Sequence, residues 1–257
     1  MPPEHVWQPT ATPPVLHPAA VHVWWATLAP PTAHRTALAA LLSPDEQQRA
    51  ARFVFPQHQQ HFTVARGLLR LLIGRYLSTS PAALRFTYSS HGKPALLQTD
   101  PALPDLRFNV SHSHGQALYA FSLGREVGID LEQIRPDVAY LELAERFFAP
   151  AEAAALHRLP TSQQRTAFFV GWTRKEAYIK ARGAGLALSL KQFVVSLTPA
   201  APARLLATHD DPAEHTRWTL ADLPPIPGYA AALAAAGNDW HSSCFVLPET
   251  SLEILRV

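Results

Sequence analysis

Two stretches of the chain read alike, and this repetition constrains the fold more than any other feature. Ser43 precedes Pro44-Asp45-Glu46. Serine is a good helix N-cap and proline suits the first helical position, so a short helix should start there. Pro150 and Glu152 open a second helix in the same way, 106 residues later. A longer helix is expected over about 57–76, where Phe62, Ala65, Leu69, Leu72 and Ile73 give an apolar stripe at spacings of three and four. The same interval carries Phe62 onto Phe168, inside a second long helical stretch. Short helix, long helix, then strands therefore occurs twice. The identity between the copies is low, and coincidence is the bland reading. The other reading is two similar α+β halves meeting near Gly124.

The segments between are strand-like. Val21–Trp25 is β-branched and aromatic, and 86–88, 106–110, 118–122 and 127–131 read as strands. A helical stretch is expected over 141–148. Residues 228–237 (GYAAALAAAG) are rich in alanine, which favours helix. They are also short and bounded by glycines, and a strand is expected. Residues 1–19 carry six prolines and read as an extended arm. The chain thus divides into that arm, a half over 20–124 and a half over 125–257.

Composition narrows the function. Of 257 residues 47% are hydrophobic and 16% charged, as in a globular protein. Net charge is +2, with no long like-charge run, so nucleic acid is not an expected partner. No apolar run nears the roughly 20 residues of a membrane helix, and the first residues lack a secretory pattern. A cytoplasmic location is expected. The single cysteine, Cys244, excludes an intramolecular disulfide and reads as a small buried hydrophobe. Arginine outnumbers lysine 18 to four, the lysines being Lys93, Lys175, Lys180 and Lys191.

Asp130 and Glu132 lie two apart in a strand and share one face. Two such carboxylates repel unless solvent or a cation compensates. Hard oxygens in this number suit Mg²⁺, which fills its shell with water and phosphate. A solvated strand face is the alternative. On the second long helix Trp172, Glu176 and Lys180 recur every four residues and stack on one face, with Lys175 beside them. An exposed Glu176–Lys180 pair with Trp172 in the core would look the same. Phe108-Asn109-Val110-Ser111-His112-Ser113 ends a strand, and a turn holding Ser111 and His112 could meet an anion. Adjacent strand residues face opposite ways, so this is no hydrolase triad. Zinc at His112 and His114 lacks further ligands at usable spacing. Ser89–Pro94 reads as a turn.

Together these pieces gain specificity. GKP at 92–94, FNVSHS at 108–113, GIDLE at 128–132 and WTRKEAYIKARGAGL at 172–186 occur in that order. The chain resembles the Sfp-type 4′-phosphopantetheinyl transferase superfamily from about Val21 to Gly237. The resemblance implies an α+β fold: two similar α+β halves with pseudo-twofold symmetry, each a long helix packed on a small antiparallel sheet, with the active site in the cleft between them. It implies transfer of the 4′-phosphopantetheine arm of coenzyme A to a serine of an apo acyl or peptidyl carrier protein, releasing adenosine 3′,5′-bisphosphate. It implies metal carboxylates at Asp130, Glu132 and Glu176, holding Mg²⁺ or Mn²⁺, and catalytic roles for Glu176, Lys180 and Lys175. Coenzyme A contacts are implied at Arg49, His61, Tyr88, Lys93, Ser111, His112, Lys175 and Lys180, and a monomer by analogy. His61 and Glu46 stand where some members are basic, so Arg52 or Arg66 is a candidate to restore charge near the 3′-phosphate. Glu132 is a less regular ligand than Asp130, since some relatives lack it. A non-catalytic coenzyme A or carrier-binding module and a Mg²⁺-dependent diphosphate hydrolase are the rival readings.

Overall fold

The structure, a computed structural model, describes residues 6–97, 100–183, 185–198, 201–209, 211 and 213–248. Its strands are β1 (Gln8–Pro9), β2 (Ala20–Thr27), β3 (Phe86–Tyr88), β4 (Pro94–Leu96), β5 (Leu106–Ser113), β6 (Gln116–Leu123), β7 (Val127–Gln133), β8 (Phe193–Val195), β9 (Leu205–Thr208), β10 (Trp218–Asp222), β11 (Tyr229–Ala236) and β12 (His241–Val246). The helices are α1 (Thr32–Ala39), α2 (Pro44–Ala51), α3 (Pro56–Leu77), α4 (Tyr140–Phe147), α5 (Pro150–Arg158), α6 (Thr161–Arg182) and α7 (Glu214–Arg217). The fold is mixed α+β.

The period of two in the strands sorts their side chains into layers. On β2, Ala20, Trp24 and Ala26 join a cluster with Val64, Leu68 and Leu72 of α3, while Val21 and Val23 point the other way. On β6, Tyr119 and Phe121 share the α3 side and Leu118 and Ala120 the other. That second face meets Ile129 and Leu131 of β7 and Leu233 and Ala235 of β11. The opposite face of β11, Ala230, Ala232 and Ala234, packs on α6. The order is therefore α3, a sheet, a second sheet, α6. Each fully buried large apolar side chain contributes roughly 1.5–3 kcal/mol.

Small residues set how closely α6 lies on its sheet. A Cβ on Gly128 would overlap the Ala177 carbonyl and the Ala181 backbone N. The alanines of β11 serve the same approach, which explains an alanine-rich segment that is a strand rather than a helix. This contact fixes Glu176 and Lys180 over β7.

The first sheet has the order β1-β12-β2-β6-β5, the second β10-β11-β7. β2, β6 and β5 pair antiparallel, but β12 and β1 are parallel additions. One expectation is corrected here. The first sheet is not purely antiparallel, because 241–246 pairs parallel with β2. Its register along β2 runs from Ala20 opposite His241 to Trp25 opposite Val246. The strand covers a β2 edge that would otherwise present unpaired backbone. The proline-rich arm, described from residue 6, is tied down: β1 pairs with β12, Trp7 Nε1 donates to the Pro224 carbonyl at 3.2 Å, and Arg75 donates to the Ala11 carbonyl.

The polar end of β5 also differs from expectation. Ser111 and His112 lie within the strand, paired with Leu118 and Ala117. The turn comes at His114 and Gly115, both at positive φ (44° and 83°), the backbone a two-residue hairpin requires.

Candidate active site

Asp130, on β7, is 3% exposed. Its Oδ1 accepts from Lys180 Nζ at 2.6 Å and from Ser111 Oγ at 2.9 Å. Its Oδ2 is buried without a hydrogen-bond partner. Glu132 accepts from Ser113 Oγ at 3.1 Å. Burial raises the Glu132 carboxyl above its ordinary value, and the Asp130 charge adds to this. Burial likewise raises Glu176, with Asp130 and Glu132 adding to the effect and Lys180 opposing it. β7 and α6 thus bring the three carboxylates into one electrostatic group around one ammonium.

Lys180 donates to Ser111 Oγ as well, at 3.0 Å. The lysine ties α6 to β7 and β5 at once. Among the described residues, no three His, Cys, Asp or Glu side chains form a set that could hold a metal ion. The fit to Mg²⁺ is therefore of a particular kind. Mg²⁺ commonly takes only one or two carboxylates and completes its shell with water and phosphate oxygens. Asp130 Oδ2, a hard oxygen buried and without a partner, is such a donor, with Glu132 and Glu176 in its field.

β5 meets the free edge of β7 through side chains rather than backbone. Asn109 Oδ1 accepts from Ile129 N at 2.9 Å, Ser111 Oγ from Leu131 N at 3.3 Å, and Ser113 Oγ from Gln133 N at 3.2 Å. These three rungs hold the two sheets one side chain apart. Sequence reading missed Asn109 and Ser113. Their signal was present: three polar residues at alternate positions of one strand, all on one face.

The even-numbered residues of β5 face the other way. Val110 and His112 line a cleft of about 260 Å³ with Arg49, Phe62, Arg66 and Tyr88. A neighbouring cleft of about 320 Å³, lined by Lys93, Glu176 and Lys180, shares Gly92, Pro94 and Val110 with it. An anionic ligand thus finds a path from Arg49 to Lys180 past the glycine of the β3–β4 turn. Gly92 sits there at φ 79°. Tyr88, 42% exposed, accepts from Arg66 at 2.8 Å. Lys93 Nζ bonds Glu126 and the carbonyls of Val127 and Ala181, and burial lowers its pKa. His112 is lowered by burial and by the charges of Lys180 and His61. His61 lies beside the 114–115 turn: a Cβ on Gly115 would be 3.9 Å from its ring. Burial lowers it too, followed by His58 and His114.

Residues 126–234 match a family model described as the 4′-phosphopantetheinyl transferase superfamily. Residues 26–122 match one described as 4′-phosphopantetheinyl transferase, N-terminal. The chain is 45% identical over 204 residues to the 4′-phosphopantetheinyl transferase HetI of Nostoc sp., covering 79% of this chain and 82% of that protein. The chain belongs to the 4′-phosphopantetheinyl transferase superfamily. It is 30% identical over 201 residues to the transferase Sfp of Bacillus subtilis, covering 78% of this chain and 85% of that one. Among solved structures, the holo-acyl-carrier-protein synthase of Thermotoga maritima matches 44% of this chain and 63% of its own at 23% identity. Its TM-score of 0.35 is too low to bear on the site.

The transferase fold does not bring Lys175 into the cluster. Lys175 is fully buried and pairs with Glu152 at 2.7 Å. It also donates to the Leu190 and Phe193 carbonyls at 2.8 and 2.6 Å. Burial lowers its pKa to about 8, with Glu152 pulling the other way. One residue along a helix is a rotation of about 100°, enough to turn Lys175 inward while Glu176 faces β7. Its expected contact with phosphate is therefore corrected to a core ion pair. Glu46 is likewise internal. It pairs with Arg66 and, at 2.6 Å, with Arg70, and accepts from the Ser43 N–H of its own N-cap at 2.9 Å. Arg66 reaches the cleft at Tyr88, while Ala184 of the last motif lies outside the described residues.

Proposed function

We propose that this transferase loads the 4′-phosphopantetheine of coenzyme A onto a serine of an apo acyl or peptidyl carrier protein at the Asp130–Glu176–Lys180 cluster. The family supplies the reaction. The observation that carries the site is Asp130, one oxygen held by Ser111 and Lys180 and the other buried and bare. Asp130 would hold Mg²⁺ or Mn²⁺ through its bare oxygen, with Glu132 and Glu176 the carboxylates in its field that would turn toward the ion; when bound, the ion supplies charge neutralisation and polarisation at the diphosphate.

The remaining chemistry falls to this chain's own side chains. Positioning and electrostatics dominate phosphoryl transfer. Glu176, its carboxyl raised by burial and by the neighbouring carboxylates, is suited to take the serine proton. Lys180, 29% exposed, offsets charge on departing adenosine 3′,5′-bisphosphate. Arg49, Arg66, Tyr88 and His112 anchor the nucleotide end, with Lys93 holding the glycine turn against the end of α6 and His61 at the rim.

We also propose that the two halves are related by a pseudo-twofold axis, with this cleft between them, and that the second half ends before β12. Repeated details support this. α3 and α6 each span 22 residues and end on a left-handed residue, Ser78 or Gly183. In both sheets the last strand of the half lies between its neighbour in sequence and its first strand, as β5-β6-β2 and β10-β11-β7.

The test is intact mass of a panel of apo carriers after incubation with coenzyme A, Mg²⁺ and the full chain. The expected result is one added phosphopantetheine. Cleavage of coenzyme A without any carrier would favour the hydrolase.

A further inference from the structure

Three rungs join β5 to β7, and they are not alike. Each accepts a backbone N–H of β7. Ile129 follows Gly128, which has no side chain; its rung is Asn109, whose Oδ1 only accepts. Leu131 follows Asp130, and Gln133 follows Glu132; their rungs are serines, which accept and donate together. Both serines give their proton to the carboxylate beside the N–H they accept: Ser111 to Asp130 at 2.9 Å, Ser113 to Glu132 at 3.1 Å.

A hydroxyl has one proton and two lone pairs. Ser111 uses all three, on Asp130, Leu131 N and Lys180 Nζ. It retains no proton for a phosphate. Ser113 is filled in the same way. Its proton goes to Glu132, one lone pair to Gln133 N, and the other to His114 Nδ1 at 3.1 Å, which must then carry the hydrogen of that contact.

We propose that Ser113 is a positioning residue for Glu132, as Ser111 is for Asp130: the two hydroxyls aim the carboxylates at the cation. This rests on the reading of those carboxylates as the cation's ligands. Each serine fixes two things at once, the backbone of β7 and the direction of an oxygen on it. Glu132, with more rotamers than Asp130, depends on this more. Asn109 does the same backbone work where there is no carboxylate to aim, and so serves as an internal control.

The experiment is a Mn²⁺ titration of the full chain by electron paramagnetic resonance, with thermal melting in parallel, for wild type, Ser113→Ala, Ser113→Thr and Asn109→Ala. Ser113→Ala is expected to weaken Mn²⁺ binding about tenfold, the scale of one charge-assisted hydrogen bond. Ser113→Thr keeps the hydroxyl and is expected to restore it. Asn109→Ala is expected to lower the melting temperature at least as much as Ser113→Ala, with Mn²⁺ binding within about twofold of wild type. Equal melting losses with unchanged Mn²⁺ affinity in both alanine variants would overturn the proposal, as would failure of threonine to restore binding. The titration needs no carrier protein. A wild type that binds Mn²⁺ but loads no carrier refutes the transfer reading alone; a wild type that binds no Mn²⁺ refutes the cation reading, and this proposal with it.

Discussion

α3 with β2, and α6 with β7, are built on one plan and used differently. In each half a short helix opens with proline, and the glutamate two residues on accepts its N-cap N–H: Glu46 from Ser43, Glu152 from Ala149. In each, that glutamate meets a buried cation at the same place on the long helix, Arg70 or Lys175. Both cations also take a pair of carbonyls three residues apart, Pro81 and Leu84 or Leu190 and Phe193. Around this shared frame the contents diverge. The side chains facing α3 include Trp24, whose indole donates to Tyr76, while those facing α6 include Asp130. Where α6 carries Glu176 and Lys180, the corresponding positions of α3 carry Leu71 and Arg75. The edges differ as well. β12 closes the free edge of β2 with backbone, whereas the free edge of β7 is met by side chains, those of β5 and Lys93. The surroundings of α3 are filled and closed, those of α6 polar and open.

The sharpest way to break this comparison is at the cluster. Glu176→Gln is expected to lower transfer by about 10²–10⁴-fold, the range of a lost general base, with an unchanged melting temperature. Carrier loading followed by mass spectrometry checks it, and full activity would remove Glu176 from the chemistry. Lys180→Ala is expected to lower kcat by orders of magnitude; a change confined to KM for coenzyme A would contradict its leaving-group role.

Lys175→Ala probes the frame. Removing one partner of a buried pair costs about 3–5 kcal/mol, so denaturant unfolding should show a loss of that size. Lys175→Arg, which copies Arg70, should retain most of the stability. A Lys175→Ala protein of native stability with a raised KM for coenzyme A would return Lys175 to the phosphate site.

A smaller effect separates the two frames by pH. Burial works to raise Glu46, but Arg70 and Arg66 outweigh it and its carboxyl is lowered overall. Burial raises Glu152 despite Lys175. A lowered carboxyl contributes stability that is present above its unfolded value and lost as pH falls through the folded one. A raised carboxyl contributes stability present below its unfolded value and lost as pH rises through the folded one. Glu46→Gln should therefore cost more than Glu152→Gln at neutral pH, and the gap should narrow toward pH 4. Urea midpoints of both variants across that range check it; a constant gap would contradict the assignment.

Much of this was legible in residue order. Apolar spacing gave the first long helix and the repeat 106 residues on gave the second; β-branched and aromatic runs gave the core strands, and bounding glycines gave the alanine-rich β11. Asp130 and Glu132 were found because spacing by two puts them on one face of a strand. Lys175 was misread because its partner, Glu152, lies 23 residues away on another helix, and nothing in local spacing says which side of α6 faces inward. The return of β12 to β2 is a pairing across more than 200 residues, decided by burial of Cys244 and Phe245 rather than by any local signal. Ser111 and His112 were expected in a turn because polar residues commonly end strands; here they are polar because β5 faces β7 on one side and the cleft lined by Arg49 and Tyr88 on the other.

Under the proposed function Asp130 organises transfer at a folded, cation-ready cluster. Intact mass of one apo carrier incubated with coenzyme A, Mg²⁺ and either wild type or Asp130→Asn tests it directly. One phosphopantetheine is expected to be added by wild type and none by Asp130→Asn, with matching melting curves. Equal loading by the two proteins would contradict it.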